Sequence, residues 1–167
     1  MTTRTFLAAT ALCATLLATA AHAQPGITPE HLSFGAGAFD VMDDVTAQFS
    51  AEYRGVYVWE GLRPVLGVSV DIDGGLYAYG GANYDFYLSD SWVLVPNFVV
   101  GVYEDGSSAD LGGPLEFRSG LELDYILEND ARLGVTFNHI SNASIYDKNP
   151  GAESLMLVYS HPIALWN

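Results

Sequence analysis

Val45-Thr-Ala-Gln-Phe-Ser-Ala-Glu-Tyr-Arg54 alternates between apolar and polar side chains at every step. Because successive side chains of a β-strand point to opposite faces, the stretch predicts a strand with one apolar and one polar face. Residues 115–125 repeat the pattern, and six other runs follow it less cleanly. The predicted strands cover residues 32–39, 45–54, 62–72, 76–88, 92–103, 115–125, 131–141 and 153–163. The chain is therefore predicted to be all-β, with eight antiparallel strands.

Two architectures accommodate strands with one apolar face. In a soluble barrel or sandwich the apolar face points inward, whereas in an outer-membrane barrel it points toward lipid and the polar face lines the lumen. Runs of about ten residues match a tilted, bilayer-spanning strand. Opposite charges also share polar faces, Glu52 with Arg54 and Glu116 with Arg118, as a small salt-bridged lumen requires.

The connections and the aromatic residues also favour the membrane architecture. If both termini are periplasmic, the long connections 104–113 and 142–152 both fall on the outer side. Aromatic side chains cluster near the opposite end, as an interfacial girdle does. They are Tyr53, Trp59, Tyr84, Phe86, Trp92, Tyr125 and Trp166. The predicted fold is an eight-stranded antiparallel transmembrane β-barrel in the outer membrane of a Gram-negative bacterium.

The N-terminal segment has the features of a secretory signal. Arg4 precedes an apolar stretch at 6–21, and Ala21-His22-Ala23 has the small-x-small form of a cleavage site. We predict a signal peptide over 1–23 and a single barrel domain over 24–167. Cys13, the one cysteine, lies in the signal, so the mature chain has no disulfide and no thiolate metal site. It keeps five basic residues against 20 acidic ones, and this net charge of −15 argues against nucleic acid as a partner.

Candidate catalytic side chains occur at the end of the seventh predicted strand. His139 and Ser141 are two residues apart and continue the outward, apolar series of that strand rather than its lumen series. Glu153 opens the next strand and can share the outward face. Polar side chains buried in lipid are costly and therefore usually functional. The pattern predicts a Ser-His-Glu esterase site facing acyl chains at the outer leaflet, with no cofactor and no metal.

The acyl-transfer template gives each residue a role. Ser141 attacks an ester carbonyl, His139 takes its proton and later delivers it to the leaving alcohol, and Glu153 orients the imidazole. Asn142 and Asn149 are candidates to place side-chain or backbone donors against the oxyanion.

These residues resemble the motif of the lipid A 3-O-deacylases of the PagL type, which are outer-membrane acyl hydrolases. The motif runs His-x-Ser-Asn-Ala-x-Ile/Leu, then Asn and Gly-x-Glu; this chain has His139-Ile-Ser-Asn-Ala-Ser-Ile145, then Asn149-Pro-Gly-Ala-Glu153. The close resemblance covers residues 137–163. It implies a triad of His139, Ser141 and Glu153, an oxyanion hole with Asn149 and the Asn142-Ala143 backbone, and lipid A or lipopolysaccharide as substrate.

Three other readings stay open at this stage. The same triad could act on another outer-membrane lipid, such as a phospholipid. The chain could instead be a non-enzymatic structural barrel or a secreted soluble barrel that binds an apolar ligand. Acyl-chain preference, latency in the native membrane and a homodimer are left undetermined by the sequence.

Overall fold

The computed structural model describes residues 29–163, which form an antiparallel sheet. The signal peptide predicted over 1–23 and the girdle residue Trp166 lie outside the described residues. The strands are β1 (Glu30–Phe39), β2 (Thr46–Arg54), β3 (Leu62–Asp71), β4 (Leu76–Tyr84), β5 (Phe86–Tyr87), β6 (Trp92–Glu104), β7 (Leu115–Ile126), β8 (Arg132–Ser141) and β9 (Ala152–Ile163). Between residues 29 and 163 there is no helix long and apolar enough to cross a membrane.

The sheet closes on itself. Each long strand pairs with its neighbour in the chain, β1 also pairs with β9, and β4 pairs with β6 to complete the ring. The two-residue β5 continues β4 beyond Asp85 and pairs with β6. Closure leaves no long strand with an unpaired edge, which a strand in lipid requires. The predicted eight-stranded antiparallel barrel is confirmed, with strand ends within two residues of prediction except where Asp85 interrupts the fourth run.

The barrel has an apolar outside and a polar inside. Along β8, Leu133, Val135 and Phe137 are 53%, 46% and 43% exposed, whereas Arg132 is 3% exposed. The other long strands show the same division, and the outward large residues include Phe34, Phe49, Leu66, Val68, Phe98, Val100, Leu121, Leu123, Leu155 and Leu157. A soluble protein has the opposite distribution of apolar and polar side chains. An apolar exterior is what the hydrocarbon core of a membrane requires.

Charged side chains inside the lumen are paired with one another. The Arg54 guanidinium donates two hydrogen bonds to Glu122, at 2.6 and 2.9 Å, and one to Glu52 at 2.8 Å. Arg118 pairs with Glu52 at 3.3 Å. Glu52 and Arg54, which the sequence places on one polar face, also form an ion pair. Glu116 and Arg118 share the lumen face as well, but Arg118 extends along the lumen and pairs with Glu52 instead.

A second ion cluster occupies the lumen near the end that carries residues 55–61. Asp85 forms an ion pair with Arg63 at 3.0 Å, and it accepts a hydrogen bond from Arg132 at 2.8 Å. All four arginines of the described chain thus point into the barrel. Lys148, in the connection after β8, is the one basic lysine or arginine side chain that residues 29–163 present to the outside. Because the arginines are used inside the lumen, they do not neutralise the acidic residues of the connections. The exterior of the protein is therefore acidic.

An apolar cluster lies in the opposite half of the lumen, among buried polar side chains that include Gln48, Ser69 and Ser154. This cluster, here called the outer plug, consists of Phe39, Val65, Tyr77, Tyr79, Val99, Tyr103, Leu111, Ile140 and Ala152. It lies beneath the connections 105–114 and 142–151, at the end of the barrel that we call the outer end. The aromatic residues predicted as a girdle lie toward the other end, where Trp92 packs edge-on against Tyr125 with ring centroids 5.2 Å apart. The lumen is therefore a packed interior.

The ion pairs of Arg54 generate a stability prediction. Arg54→Ala leaves the carboxylates of Glu52 and Glu122 buried without their cation, so the free energy of unfolding should fall by about 3–5 kcal/mol. Urea unfolding of the refolded protein in detergent measures it. Lys148→Ala removes only an exposed pair with Asp110 and should cost about 1 kcal/mol or less. Equal losses in the two variants would contradict the ranking.

Candidate active site

A histidine–glutamate pair lies on the outside of the barrel at its outer end. His139 on β8 and Glu153 on β9 are directly opposite in the strand register. Their side chains meet with Nδ1 of His139 3.0 Å from Oε1 of Glu153. The side chains are 46% and 25% exposed, respectively. A carboxylate in this position fixes the imidazole so that Nε2 is free to act as a base.

Ser141 shares the outward face of β8 with His139, because the two residues are two apart in one strand. The register places Ser141 opposite Phe117 of β7. Within the described chain, the Ser141 hydroxyl makes no hydrogen bond, either to His139 or to another group. Contacts of this kind are often long before substrate binds and tighten in the complex. The hydroxyl is therefore unengaged beside a base that a carboxylate already orients.

A strained turn follows Ser141 immediately. The N–H of Ile145 donates to the carbonyl of Asn142 at 3.1 Å, and the two residues between them, Ala143 and Ser144, have φ of 53° and 61°. Left-handed backbone costs a residue with a side chain about 1–2 kcal/mol. Two such residues in succession mark a backbone whose shape is held by its surroundings, as happens at functional sites.

The donors of Asn142 are already occupied. Its side-chain amide donates to the carbonyls of Leu111 and Lys148, each at 2.7 Å, and its N–H donates to Oδ1 of Asn149 at 3.0 Å. Asn142 therefore holds the connections 105–114 and 142–151 together instead of offering a side-chain donor to a substrate. In the described chain, no hydrogen bond comes from the N–H of Ala143.

Asn149 has a donor close to the same turn. Its amide Nδ2 lies 3.3 Å from Oγ of Ser144, and its Oδ1 accepts the N–H of Asn142. The oxyanion donors that this geometry leaves for a substrate are the Ala143 N–H and the Asn149 amide. Ser144 occupies a variable position of the motif, and its hydroxyl oxygen accepts the hydrogen bond of the Asn149 amide.

Two further residues border His139 through contacts that the sequence analysis did not predict. Ser119 of β7 is opposite His139 in the register, so an outward hydroxyl lies beside the imidazole on the side away from Glu153. Gly151 has φ of 69°, and a Cβ there would lie 2.8 Å from Cε1 of His139. Alternation alone marks Ser119 only as a polar residue at an outward position. Gly151 appears in the motif, but its contact with the imidazole depends on how the connection folds.

The surroundings of the pair are acidic. Glu153 accepts the N–H of Val41 through its backbone carbonyl at 3.1 Å, which brings the connection 40–45 beside the site. In that connection the pKa of Asp40 is raised, mainly by burial and less by the carboxylates of Asp43, Glu153 and Asp44.

Comparison with known proteins identifies the fold and the family. The sequence matches the family described as lipid A 3-O-deacylase (PagL) over residues 46–162, which is more than half of the chain. The chain belongs to the lipid A 3-O-deacylase (PagL) family. The family predicted from the motif is confirmed, and with it the outer-membrane β-barrel.

The PagL-family assignment agrees with a curated relative. Lipid A deacylase PagL of Bordetella bronchiseptica is 32% identical over 62 residues, a match that covers 36% of this chain and 35% of the relative. The match thus spans about a third of that protein's length.

Solved structures support the fold of this PagL-family chain. The crystal structure of the outer membrane enzyme PagL superimposes with a TM-score of 0.61 at 22% identity and covers 80% of this chain and 99% of that one. A de novo designed transmembrane β-barrel gives 0.59 at 10% identity, covering 81% and 98%. Neisserial surface protein A gives 0.55 at 15% identity, covering 83% and 99%.

The contact between Gly151 and the imidazole generates a prediction. Gly151→Ala puts a methyl group against His139 and should lower kcat by about tenfold or more, because small displacements of a catalytic group are expensive. The kcat of the folded variant, compared with that of the wild type, tests this prediction. Gly74→Ala is the matched control, since Gly74 also has a positive φ, 95°, but its nearest contact is 3.9 Å away in another connection. An equal loss in both variants would show that backbone strain alone is responsible.

Proposed function

We propose that the protein is an outer-membrane serine esterase that removes the ester-linked 3-O-acyl chain from lipid A. The observation that carries the proposal is the 3.0 Å pair of His139 and Glu153 on the lipid-facing surface, two residues from Ser141 in the same strand. Family membership supports lipid A as the substrate. A site on the outside of a barrel has access to lipid acyl chains without any passage through the lumen.

The first half of the reaction forms an acyl-enzyme. Oγ of Ser141 attacks the ester carbonyl while Nε2 of His139 accepts the hydroxyl proton. Glu153 keeps Nδ1 protonated and stabilises the imidazolium that results. The N–H of Ala143 and the amide of Asn149 donate to the oxyanion of the tetrahedral intermediate. When the intermediate collapses, His139 protonates the leaving sugar oxygen and the acyl chain remains on serine.

The second half consumes one water molecule. His139 removes a proton from water, the hydroxide attacks the acyl-serine carbonyl, and the proton returns to Oγ of Ser141. The products are a lipid A with one free hydroxyl group and one fatty acid. Both products are formed at the level of the outer leaflet, beside the connection 142–151, so the released fatty acid can pass directly into the surrounding lipid.

The substrate's position follows from the faces of the barrel. Phe137 and Leu155 continue the outward face from the triad toward the middle of the bilayer and are 43% and 49% exposed. An acyl chain lying along them would place its ester at the depth of His139 and Ser141. Its sugar would then lie among the outer connections, where Lys148 is the one lysine or arginine of the described chain available to a phosphate.

Replacement of the nucleophile tests the reaction. Ser141→Ala should lower the deacylation rate by on the order of 10³-fold or more, because it removes the oxygen that attacks the ester and holds the acyl chain. Mass spectrometry of lipid A incubated with refolded protein in detergent measures the loss of one hydroxyacyl chain. Ser107→Ala, in an exposed connection at the same end, should match the wild type.

The alternatives are resolved by the same assay. Intact lipid A with hydrolysed phospholipid would identify another outer-membrane lipid as the substrate. If the wild type left both lipids intact, the enzyme reading would be abandoned in favour of a structural barrel. Undiminished activity in Ser141→Ala would contradict the assignment of the nucleophile and direct attention to Ser144.

Replacement of the acidic residue tests the orienting role. Glu153→Gln keeps the shape of the side chain but removes the charge that stabilises the imidazolium, so kcat should fall by about 10²–10⁴-fold with KM little changed. Steady-state kinetics on lipid A measures both constants. Asp147→Asn, in the exposed part of the same connection, controls for loss of negative charge. A change confined to KM would contradict the role of Glu153.

A further inference from the structure

A carboxyl group is buried directly beneath the nucleophile turn. Glu116 on β7 faces the lumen and has 0% exposure. Both of its carboxyl oxygens lack a hydrogen-bond partner in the described chain. Its surroundings belong to the outer plug, since Tyr77 donates to its backbone carbonyl at 3.0 Å. Glu116 is therefore separate from the arginine network deeper in the lumen.

The strand register identifies the group that faces it. Phe117 pairs with Ser141 at the end of the β7–β8 ladder, so one further step places Glu116 opposite Asn142. The two side chains lie side by side in the lumen, because residues opposite each other on neighbouring strands direct their side chains to the same face. Both residues are at 0% exposure, which puts the contact out of reach of bulk water.

The orientation of the Asn142 amide is fixed by its donors. The NH₂ group donates to two backbone carbonyls, of Leu111 and Lys148, so the oxygen Oδ1 must face elsewhere. Oδ1 is also buried without a hydrogen-bond partner among the described residues. An amide oxygen and two carboxyl oxygens are all acceptors, and a contact between them is satisfied only when a proton lies between the groups.

We propose that Glu116 carries that proton, donates it in a hydrogen bond to Oδ1 of Asn142, and is thereby a positioning residue for the nucleophile turn. The proposal rests on the proposed function of Ser141. Asn142 is the next residue after Ser141, and its N–H holds Asn149. Fixing the Asn142 side chain from inside the barrel therefore fixes the Ser141 peptide and both oxyanion donors on the outside.

Two substitutions distinguish a hydrogen-bond donor from a space-filling side chain. Glu116→Gln keeps a donor at the same place, so kcat on lipid A should stay within about threefold of the wild type. Glu116→Met has similar length but no donor, so kcat should fall about tenfold or more while KM changes little. Glu128→Met, on an exposed turn at the other end of the barrel, should leave kcat unchanged.

A second readout is independent of the substrate. Hydrogen–deuterium exchange of the peptide that covers 141–151 should be about tenfold faster in Glu116→Met than in the wild type, and Glu116→Gln should restore slow exchange. If the wild type releases no acyl chain from lipid A, the proposed function fails, and the exchange rates still test the positioning role. The proposal would be overturned if Glu116→Met and the wild type had equal exchange rates and equal kcat. It would also be overturned if Glu116→Gln were as impaired as Glu116→Met, because the ionised carboxylate would then be the required form.

Discussion

Every backbone N–H and C=O group that lies in a bilayer must find its hydrogen-bond partner within the protein, and the pairing of β4 with β6 provides the last set of partners. Once the ring is closed, each strand has one face toward lipid and one toward a narrow lumen lined by side chains of the other strands. The polar side chains of the lumen must then find hydrogen-bond and charge partners among themselves. Arginines and carboxylates from different strands pair with one another, and the interior becomes a packed network.

This use of charge explains both the exterior and the position of the site. Arg54, Arg63, Arg118 and Arg132 are all committed to the lumen, so the outer surface is left acidic. Outward polar groups on the strands are unexpected under the same constraint, because the outside must be apolar. His139, Ser141 and Glu153 occupy such positions at the outer end, where a lipid ester is the chemical group within reach. The proposed site is therefore a surface rather than a pocket.

Strict alternation made much of the fold predictable. A run such as 45–54 specifies which side chains share a face, and its length together with the opposite charges on its polar face favours an inverted barrel. Alternation also suggested the candidate triad, since His139 and Ser141 interrupt an apolar series. Alternation fixes faces but not the register between strands, so the His139–Glu153 contact needed the structure.

Other features depend on contacts that sequence spacing does not encode. Glu116 and Arg118 share a face, yet Arg118 reaches Glu52 of a distant strand because its long side chain extends along the lumen. Asn142 resembles an oxyanion donor in the motif, yet its amide is directed inward to two backbone carbonyls. The role of Gly151 depends on the folded connection, which brings this residue against the His139 imidazole. In each case the partner lies far away in the chain or is backbone.

The central claim is that Ser141 is an activated nucleophile on the lipid-facing surface. The most direct test is labelling of the folded protein with a long-chain alkyl fluorophosphonate in detergent micelles, followed by peptide mass mapping. The account predicts a single phosphonylated serine at Ser141, with labelling abolished in His139→Asn. A label on Ser144 or Ser119 instead, or labelling that survives loss of His139, would contradict it.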